Sequence, residues 1–446
     1  MLREVIPSTI LRQGRLGEGR RLALTETLRV LVIGSGAREH ALIWKLAQSN
    51  LQPELYVAPG NPGMEKLATR VPLHEEDVAG IVRFAQEKSI RLVVIGPEAP
   101  LALGLADELE TAGILAFGPK KAAARLEWSK AYAKEMMQRA HVPTAASATF
   151  SDLQSALDYL DKAGKAMVVK ADGLAKGKGV IVAESLAETR AAVEQIMKSE
   201  AGARVVLEER MTGREVSLMY FVDEHFVLPM LPARDHKRIG EGDTGPNTGG
   251  MGVFAPVPSI TPTDVEEVTR RIVQPILSEL KKDGIVYCGV LYVGLMVTAN
   301  GPKVVEFNAR FGDPETEAIL PLLETDLLEV CLATARHRLS DVQVSWRSEA
   351  AVTVILAAEG YPGTPRKGDT IVLPPIEDWP KQTVIFQAGT DLSSTGELVS
   401  AGGRVLAVTA TGADAQTAAE RAYALANAVE MKGKYLRRDL LHDLDA

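Results

Sequence analysis

Short apolar runs alternate with amphipathic stretches over the first third of the chain. Leu28 to Ile33 is apolar apart from Arg29, Gly34-Ser35-Gly36-Ala37 breaks the run, and Leu42, Ile43 and Leu46 then recur at helical spacing. This predicts a strand, a glycine turn and a helix. Further apolar runs at Leu55 to Ala58, Leu92 to Ile95 and Leu115 to Phe117 are separated by helical patterns around Glu75 to Glu87 and Leu101 to Ala112. Such alternation predicts a parallel sheet, whose ligands bind at turns beyond the carboxyl ends of the strands. Gly60 to Gly63 and Gly96 to Pro100 occupy such turns.

The texture changes after a helical stretch from Ala122 to Arg139, with Pro143 marking a hinge. Strands are expected at Met167 to Ala171, Val180 to Ala183 and Val205 to Glu208, with a helix over Ala187 to Lys198, which together read as a small α+β lid. Arg234 to Gly252 is polar, glycine-rich and without clear period. Strand character returns at Val290 to Val297 and Lys303 to Phe307. A separate alternating pattern follows Arg347, with strands near Val352 to Ala357 and Val405 to Thr409 and a helix over Asp414 to Glu430.

At 446 residues the chain has room for about three domains. Fifty basic against 58 acidic side chains give a formal charge of -8, which argues against a nucleic-acid footprint but leaves room for a local anion site. Cys288 and Cys331 are the only cysteines, too few for a disulfide framework, so a reducing cytoplasmic location is expected. No run approaches the roughly 20 apolar residues of a membrane helix. Arg3, Arg12, Arg15, Arg20 and Arg21 are scattered among Glu4, Glu18 and Glu26 with no apolar segment, so residues 1–27 read as a flexible leader rather than a signal peptide.

Candidate chemistry concentrates in four stretches. Gly34 to His40 can cradle a phosphate at a helix start, but the dinucleotide pattern is broken and the glycines serve equally for a tight turn. Lys170-Ala171-Asp172-Gly173-Leu174-Ala175-Lys176-Gly177-Lys178-Gly179 sets cations among glycines between two expected strands. That suits polyphosphate, with a solvated hairpin as the alternative. Lys130 approaches Lys170 if both face one cleft. Glu306 and Asn308, one residue apart on a strand, share a face that can receive a hard divalent cation, or make ordinary strand-end hydrogen bonds. The last stretch is Asp235-His236-Lys237-Arg238 with Gly245 to Gly252, an anion site or a charged surface loop. Both cysteines read as core thiols, and no zinc-protease or serine-hydrolase motif is present.

These strings, together with Ala58-Pro59-Gly60-Asn61-Pro62-Gly63, Gly96-Pro97-Glu98-Ala99-Pro100-Leu101, Asp243 to Gly252 and Glu306 to Glu315, resemble the phosphoribosylamine-glycine ligase (glycinamide ribonucleotide synthetase) family of the ATP-grasp superfamily. The resemblance runs from about Leu28 into the C-terminal region. Gly34-Ser35, Lys176 and Arg214 depart from residues common in the family.

The resemblance implies an α/β and α+β multidomain ATP-grasp fold. Its parts would be an N-terminal parallel-sheet domain (28–129), an ATP-grasp core (130–347) carrying a mobile lid (about 144–214), and a C-terminal α+β domain (348–446). It implies ligation of glycine to 5-phospho-D-ribosylamine through glycyl phosphate, with ATP and Mg2+, or Mn2+ as the alternative, in purine biosynthesis.

By the same resemblance Lys130 and Lys170 would contact phosphates under a loop through Gly173, Gly177 and Gly179. Glu208, Arg210 and Met211 would lie along the adenine, and Glu215 near the ribose. Glu306 and Asn308 would hold the metal. Arg310, with Lys130 and Lys170, would stabilise the transferred phosphate, and Gly312 and Asp313 would lie beside it on the substrate side. Asn61, Pro97, Glu98, Asp235, Lys237 and Arg238 would face phosphoribosylamine. A monomer is expected, with a weak dimer as the alternative, and neither nucleic acid nor membrane as partner. The competing readings are an ATP-grasp ligase or carboxylase with another acceptor, and a nucleotide-binding regulatory protein.

Overall fold

The computed structural model describes residues 27–173, 179–198 and 204–444. The expected leader and Gly177 therefore lie outside the described residues. The first sheet is parallel and five-stranded, in the order Thr69–Arg70, Glu54–Pro59, Arg29–Gly34, Leu92–Ile95, Leu115–Phe117. Its central strand is buried at every position after Arg29, because helices cover both faces. That continuous burial is why the strand reads as an apolar run rather than an alternation.

Two expected helices are each divided. Gly104 takes φ +94°, open to glycine at little cost, and separates Glu98–Leu103 from Leu105–Thr111. Ser129 is extended and separates Lys121–Trp128 from Lys130–Arg139, its hydroxyl accepting from the Tyr132 amide at 3.2 Å as an N-cap. The second break puts Lys130 at the first position of a new helix.

The lid is a four-stranded sheet in the order Ser147–Phe150, Val205–Glu208, Val168–Ala171, Val180–Val182, backed by helices Leu153–Ala163 and Leu186–Met197. Facing it is an antiparallel sheet in the order Val227–Pro229, Arg214–Val222, Gly289–Thr298, Gly301–Asn308. Lid and central sheet meet at Val304, whose amide donates to the Pro143 carbonyl (2.8 Å) and whose carbonyl accepts from the Thr144 hydroxyl (2.7 Å).

The C-terminal sheet, in the order Arg234–Asp235, Gly252–Ala255, Ala350–Ala357, Arg404–Gly412, Thr383–Gln387, takes its first strand from the segment that showed no period and its second from the residues that begin at that segment's end. Those strands are two and four residues long, too short for alternation to register. Helix Ala415–Ala428 covers this sheet, capped by Asp414, whose carboxylate accepts from the Thr417 amide at 2.7 Å.

Candidate active site

Lys130 and Lys170 are forty residues apart, and Asp172 joins their surroundings. Its Oδ1 accepts from the Ser129 hydroxyl (2.9 Å) and the Ala131 amide (3.0 Å), tying the start of the glycine loop to the start of the Lys130 helix. The Lys130 ammonium then lies 3.4 Å from Glu306 Oε2 on the central sheet. Lys170 crosses from the lid to the same strand, donating to the Val305 carbonyl at 2.9 Å. Asn308 is buried two residues beyond Glu306, on the same face of that strand.

Burial alone would push the Glu306 carboxyl up, but Lys130, Lys237, Lys170 and Arg310 outweigh it and hold it down to about 2. Glu306 is therefore an anion at any physiological pH. An ionised carboxylate and an amide carbonyl on one face are the hard oxygen donors that a small divalent cation takes, so the residues present fit such an ion.

Further charged groups surround this centre. Glu208 receives Lys170 at 3.0 Å and Lys134 at 3.3 Å. Lys134 was not singled out from the sequence, although it stands one helical turn after Lys130, a spacing that puts both on one face. Its ammonium also donates to the Thr144 hydroxyl at 2.8 Å. Burial foremost, together with Lys170, pulls its pKa down to about 8 despite Glu208.

Lys237 pairs with Glu215 at 3.0 Å. Burial opposes its charge, yet Glu215, Tyr292 and Glu306 raise its pKa well above the ordinary value. Asp235 behaves oppositely: burial and the neighbouring Glu315 raise its carboxyl well above the carboxylate range, and its Oδ1 has no hydrogen-bond partner among the described residues. Glu215, Asp235, Lys237, Tyr292 and Val305 line one recess. A larger cavity of about 320 Å³, lined by Phe226, Leu277, Ile285 and Tyr287, includes none of the candidate site residues.

Arg310 joins the N-terminal domain to this centre. Its guanidinium lies 3.1 Å from Glu127 and 3.7 Å from Glu98, whose helix Pro97 caps. Gly312 donates its amide to Met219 Sδ (3.1 Å), and a Cβ there would stand 2.5 Å from the Glu315 carboxylate. Asp313 receives Arg404 of the C-terminal sheet at 2.9 Å, and Arg404 also donates to the Gly249 carbonyl. Neither Glu127 nor Arg404 carried a local motif.

Other sequence candidates stand apart. Asn61 is 2% exposed and donates both amide hydrogens to backbone, to the Ser35 carbonyl (2.8 Å) and the Gln387 carbonyl (2.7 Å), while its Oδ1 accepts from Gly63 (3.0 Å). His40 lies beside it, Nδ1 accepting from the Gln387 amide at 2.8 Å. Gly34 and Gly96 hold the Glu39 carboxylate, which a Cβ at Gly96 would meet at 2.1 Å. Arg238 donates to the Gly245 carbonyl at 2.6 Å across a hairpin, and exposed Arg210 and half-buried Met211 sit on the loop after Glu208. Gly173 and Gly179 flank the part of the glycine loop outside the described residues.

Family models for phosphoribosylglycinamide synthetase match the chain in three consecutive parts: the N domain over residues 28–127, the ATP-grasp (A) domain over 128–316 and the C domain over 351–443. The chain belongs to the phosphoribosylglycinamide synthetase family.

A phosphoribosylamine–glycine ligase of Agrobacterium fabrum is 49% identical over 416 residues, covering 93% of this chain and 98% of that protein. One from Mesorhizobium japonicum is 48% identical, with 93% and 97% covered. Among solved structures, phosphoribosylamine–glycine ligase from Thermotoga maritima superposes with a TM-score of 0.80 at 36% identity, covering 92% of this chain and all of that one. The biotin carboxylase domain of Hydrogenobacter thermophilus 2-oxoglutarate carboxylase shares the fold at 16% identity, with a TM-score of 0.67 and 91% of each chain covered. The ATP-grasp family to which the chain belongs uses ATP with a divalent metal ion. Among the described residues no helix is long and apolar enough to cross a membrane.

Proposed function

We propose that this chain joins glycine to 5-phospho-D-ribosylamine at the expense of ATP, giving glycinamide ribonucleotide, ADP and phosphate. The observation that carries the reading is the set of Lys130, Lys170, Lys237 and Arg310 whose charges hold Glu306 ionised, in a chain matched over residues 28–316 and 351–443 by the family's three domains. Glycine's carboxylate oxygen attacks the γ-phosphorus, and the bond from that phosphorus to ADP breaks, leaving glycyl phosphate. The amine of phosphoribosylamine then attacks the acyl carbon, the carbon–oxygen bond to phosphate breaks, and the amine loses a proton. Both nucleophiles come from substrates, so the protein's task is positioning and charge stabilisation.

Lys130 and Lys170 hold the phosphates, with Gly173, Gly177 and Gly179 over them. Glu208, Arg210 and Met211 border the adenine, and Glu215 the ribose. Glu306 and Asn308 would hold Mg2+, with Mn2+ as the alternative, and a bound cation of this kind would neutralise phosphate charge as transfer proceeds. Arg310 stabilises the transferred group beside Gly312 and Asp313. Pro97, Glu98, Asp235, Lys237 and Arg238 face phosphoribosylamine, and Asn61 acts through the backbone it fixes. The lid closes to keep water from the acyl phosphate. The protein works in the cytoplasm as a monomer.

The deciding experiment is phosphate release with ATP and Mg2+ in a full matrix of glycine and freshly generated phosphoribosylamine, with mass detection of the amide. Product only when both substrates are present is expected. Phosphate release that needs neither glycine nor phosphoribosylamine, with no amide formed, would overturn the reading.

A further inference from the structure

His236, His442 and Asp443 lie outside the ligase machinery and come together without any pattern in the sequence. One donor atom from each lies within 4.8 Å of the others. His236 is 2% exposed, and neither of its ring nitrogens has a hydrogen-bond partner among the described residues. Its main chain is locked, the amide donating to the Gly252 carbonyl (2.9 Å) and the carbonyl accepting from Met251 (2.8 Å). A buried imidazole with two unsatisfied nitrogens is costly unless something else binds it.

The other donors are prepared in ways a metal ligand requires. His442 Nδ1 stands 2.7 Å from the Asp439 carbonyl, which assigns the proton to Nδ1 and leaves Nε2 with its lone pair. That is the outer hydrogen bond that orients metal-binding histidines. Nε2 lies 3.8 Å from Asp443 Oδ2, and His236 Nε2 lies 3.5 Å from Asp443 Oδ1, both too long for good hydrogen bonds. Tetrahedral zinc, with bonds near 2.0–2.2 Å, separates its donors by about 3.4 Å. The His236 separation from Oδ1 is already close to that value, while His442 faces the other oxygen, Oδ2, which Arg234 also holds, so His442 must swing towards Oδ1 to complete the site. The His442 side chain is 35% exposed and has room to close the remaining gap.

The surroundings carry three carboxylates, Asp443, Asp243 and Asp439, against two guanidiniums, Arg234 on Asp443 and Arg437 on Asp243 and Asp439. The residual charge favours a cation.

We propose that His236, His442 and Asp443 form a zinc site, completed by water and separate from the oxygen site at Glu306 and Asn308. Two imidazoles with one carboxylate select zinc or its neighbours over magnesium. The ion would fasten the last turn of the chain to the loop whose adjoining residues, Asp235 and Lys237, line the substrate recess. It acts as a structural staple beside the active site and takes no part in the chemistry.

Co2+ reports the geometry, since tetrahedral coordination gives a strong visible d–d band and octahedral coordination a weak one. Untagged full-length protein, stripped with chelator, is titrated with Co2+ and back-titrated with Zn2+. A strong band saturating at one equivalent per chain and erased by Zn2+ is expected. His442→Ala and Asp443→Asn alter partly exposed side chains. Each should weaken binding by more than the roughly 10–100-fold that loss of an outer partner costs, with an unchanged far-ultraviolet spectrum. Glu306→Gln should leave the band intact, and Zn2+ should raise the melting temperature of the parent but not of His442→Ala. No strong band with the parent protein, or a band that survives both ligand substitutions, would overturn the proposal. The parent titration decides even if a variant misfolds.

Discussion

Two regions of this molecule look equally functional as strings of letters and turn out to use their polar atoms in opposite ways. Around Gly34, His40 and Asn61, the glycines admit the Glu39 carboxylate and the side-chain amide of Asn61 is committed to backbone partners. Around Glu306, three lysines and an arginine from four segments act on one carboxylate, Lys130 at 3.4 Å and the others through their fields. The first region fastens the N-terminal domain to strand Thr383–Gln387 of the C-terminal sheet. The second gathers charge that only a ligand can fully use. Whether a polar residue belongs to chemistry or to construction is decided by what its atoms already touch, not by the motif that contains it.

The difference is sharpest at Glu306 and Lys170. Glu306→Ala or Lys170→Ala should lower ligase turnover 100- to 1,000-fold, about 3–4 kcal/mol at the transition state, more strongly than either lowers folding stability. Lys170→Ala carries the larger stability loss because it leaves buried Glu208 short of one cation. Parallel losses of stability and turnover would erase the contrast.

His40 tests the other region by pH. Burial foremost lowers its pKa to about 4, so the folded state resists protonation while the unfolded chain takes a proton near 6.5. Stability is then full above pH 6.5 and declines towards pH 4. The loss is about 3 kcal/mol across that window, and His40→Gln should remove this part of the slope in denaturant titrations at each pH.

Asn61→Ala should cost about 2–3 kcal/mol of stability through three lost hydrogen bonds, measured by chemical denaturation, and leave turnover per folded molecule close to normal. A turnover loss like that of Glu306→Ala would move Asn61 into the substrate site. Arg404→Lys, which keeps charge but loses the planar fork on Asp313, should lower turnover about tenfold, with steady-state kinetics and melting measured together. An unchanged rate would show that the C-terminal sheet only supports the cleft.

Much of this was legible because local patterns coincided with local structure. The first sheet showed as apolar runs since its central strand is buried on both faces, and Glu306 with Asn308 showed because strand alternation fixes their common face. Lys134 was legible in principle, one turn from Lys130, yet its meaning depends on Glu208, which arrives from the lid. The meeting of Lys130 with Glu306 was not legible, since it depends on Asp172 clamping one segment to another. Arg404, Glu127 and the cluster of His236, His442 and Asp443 are long-range encounters with no periodic signature. The helix breaks at Gly104 and Ser129 were written only as a lone glycine and a lone cap residue inside otherwise helical stretches.

The pairing of Lys170 with Glu208, Lys237 with Glu215 and Lys130 with Glu306 also bears on what the cleft ignores. A bare sulfate or inorganic phosphate entering from solution meets ammonium groups already engaged by carboxylates, and must separate a pair to gain one. On the proposed function, a nucleotide arriving with its own divalent counter-ion would offer the carboxylates a replacement partner as it takes the lysines. On that reading the idle cleft would discriminate among abundant anions before any reaction begins, because its lysines are already paired until the correct combination of opposite charges arrives together.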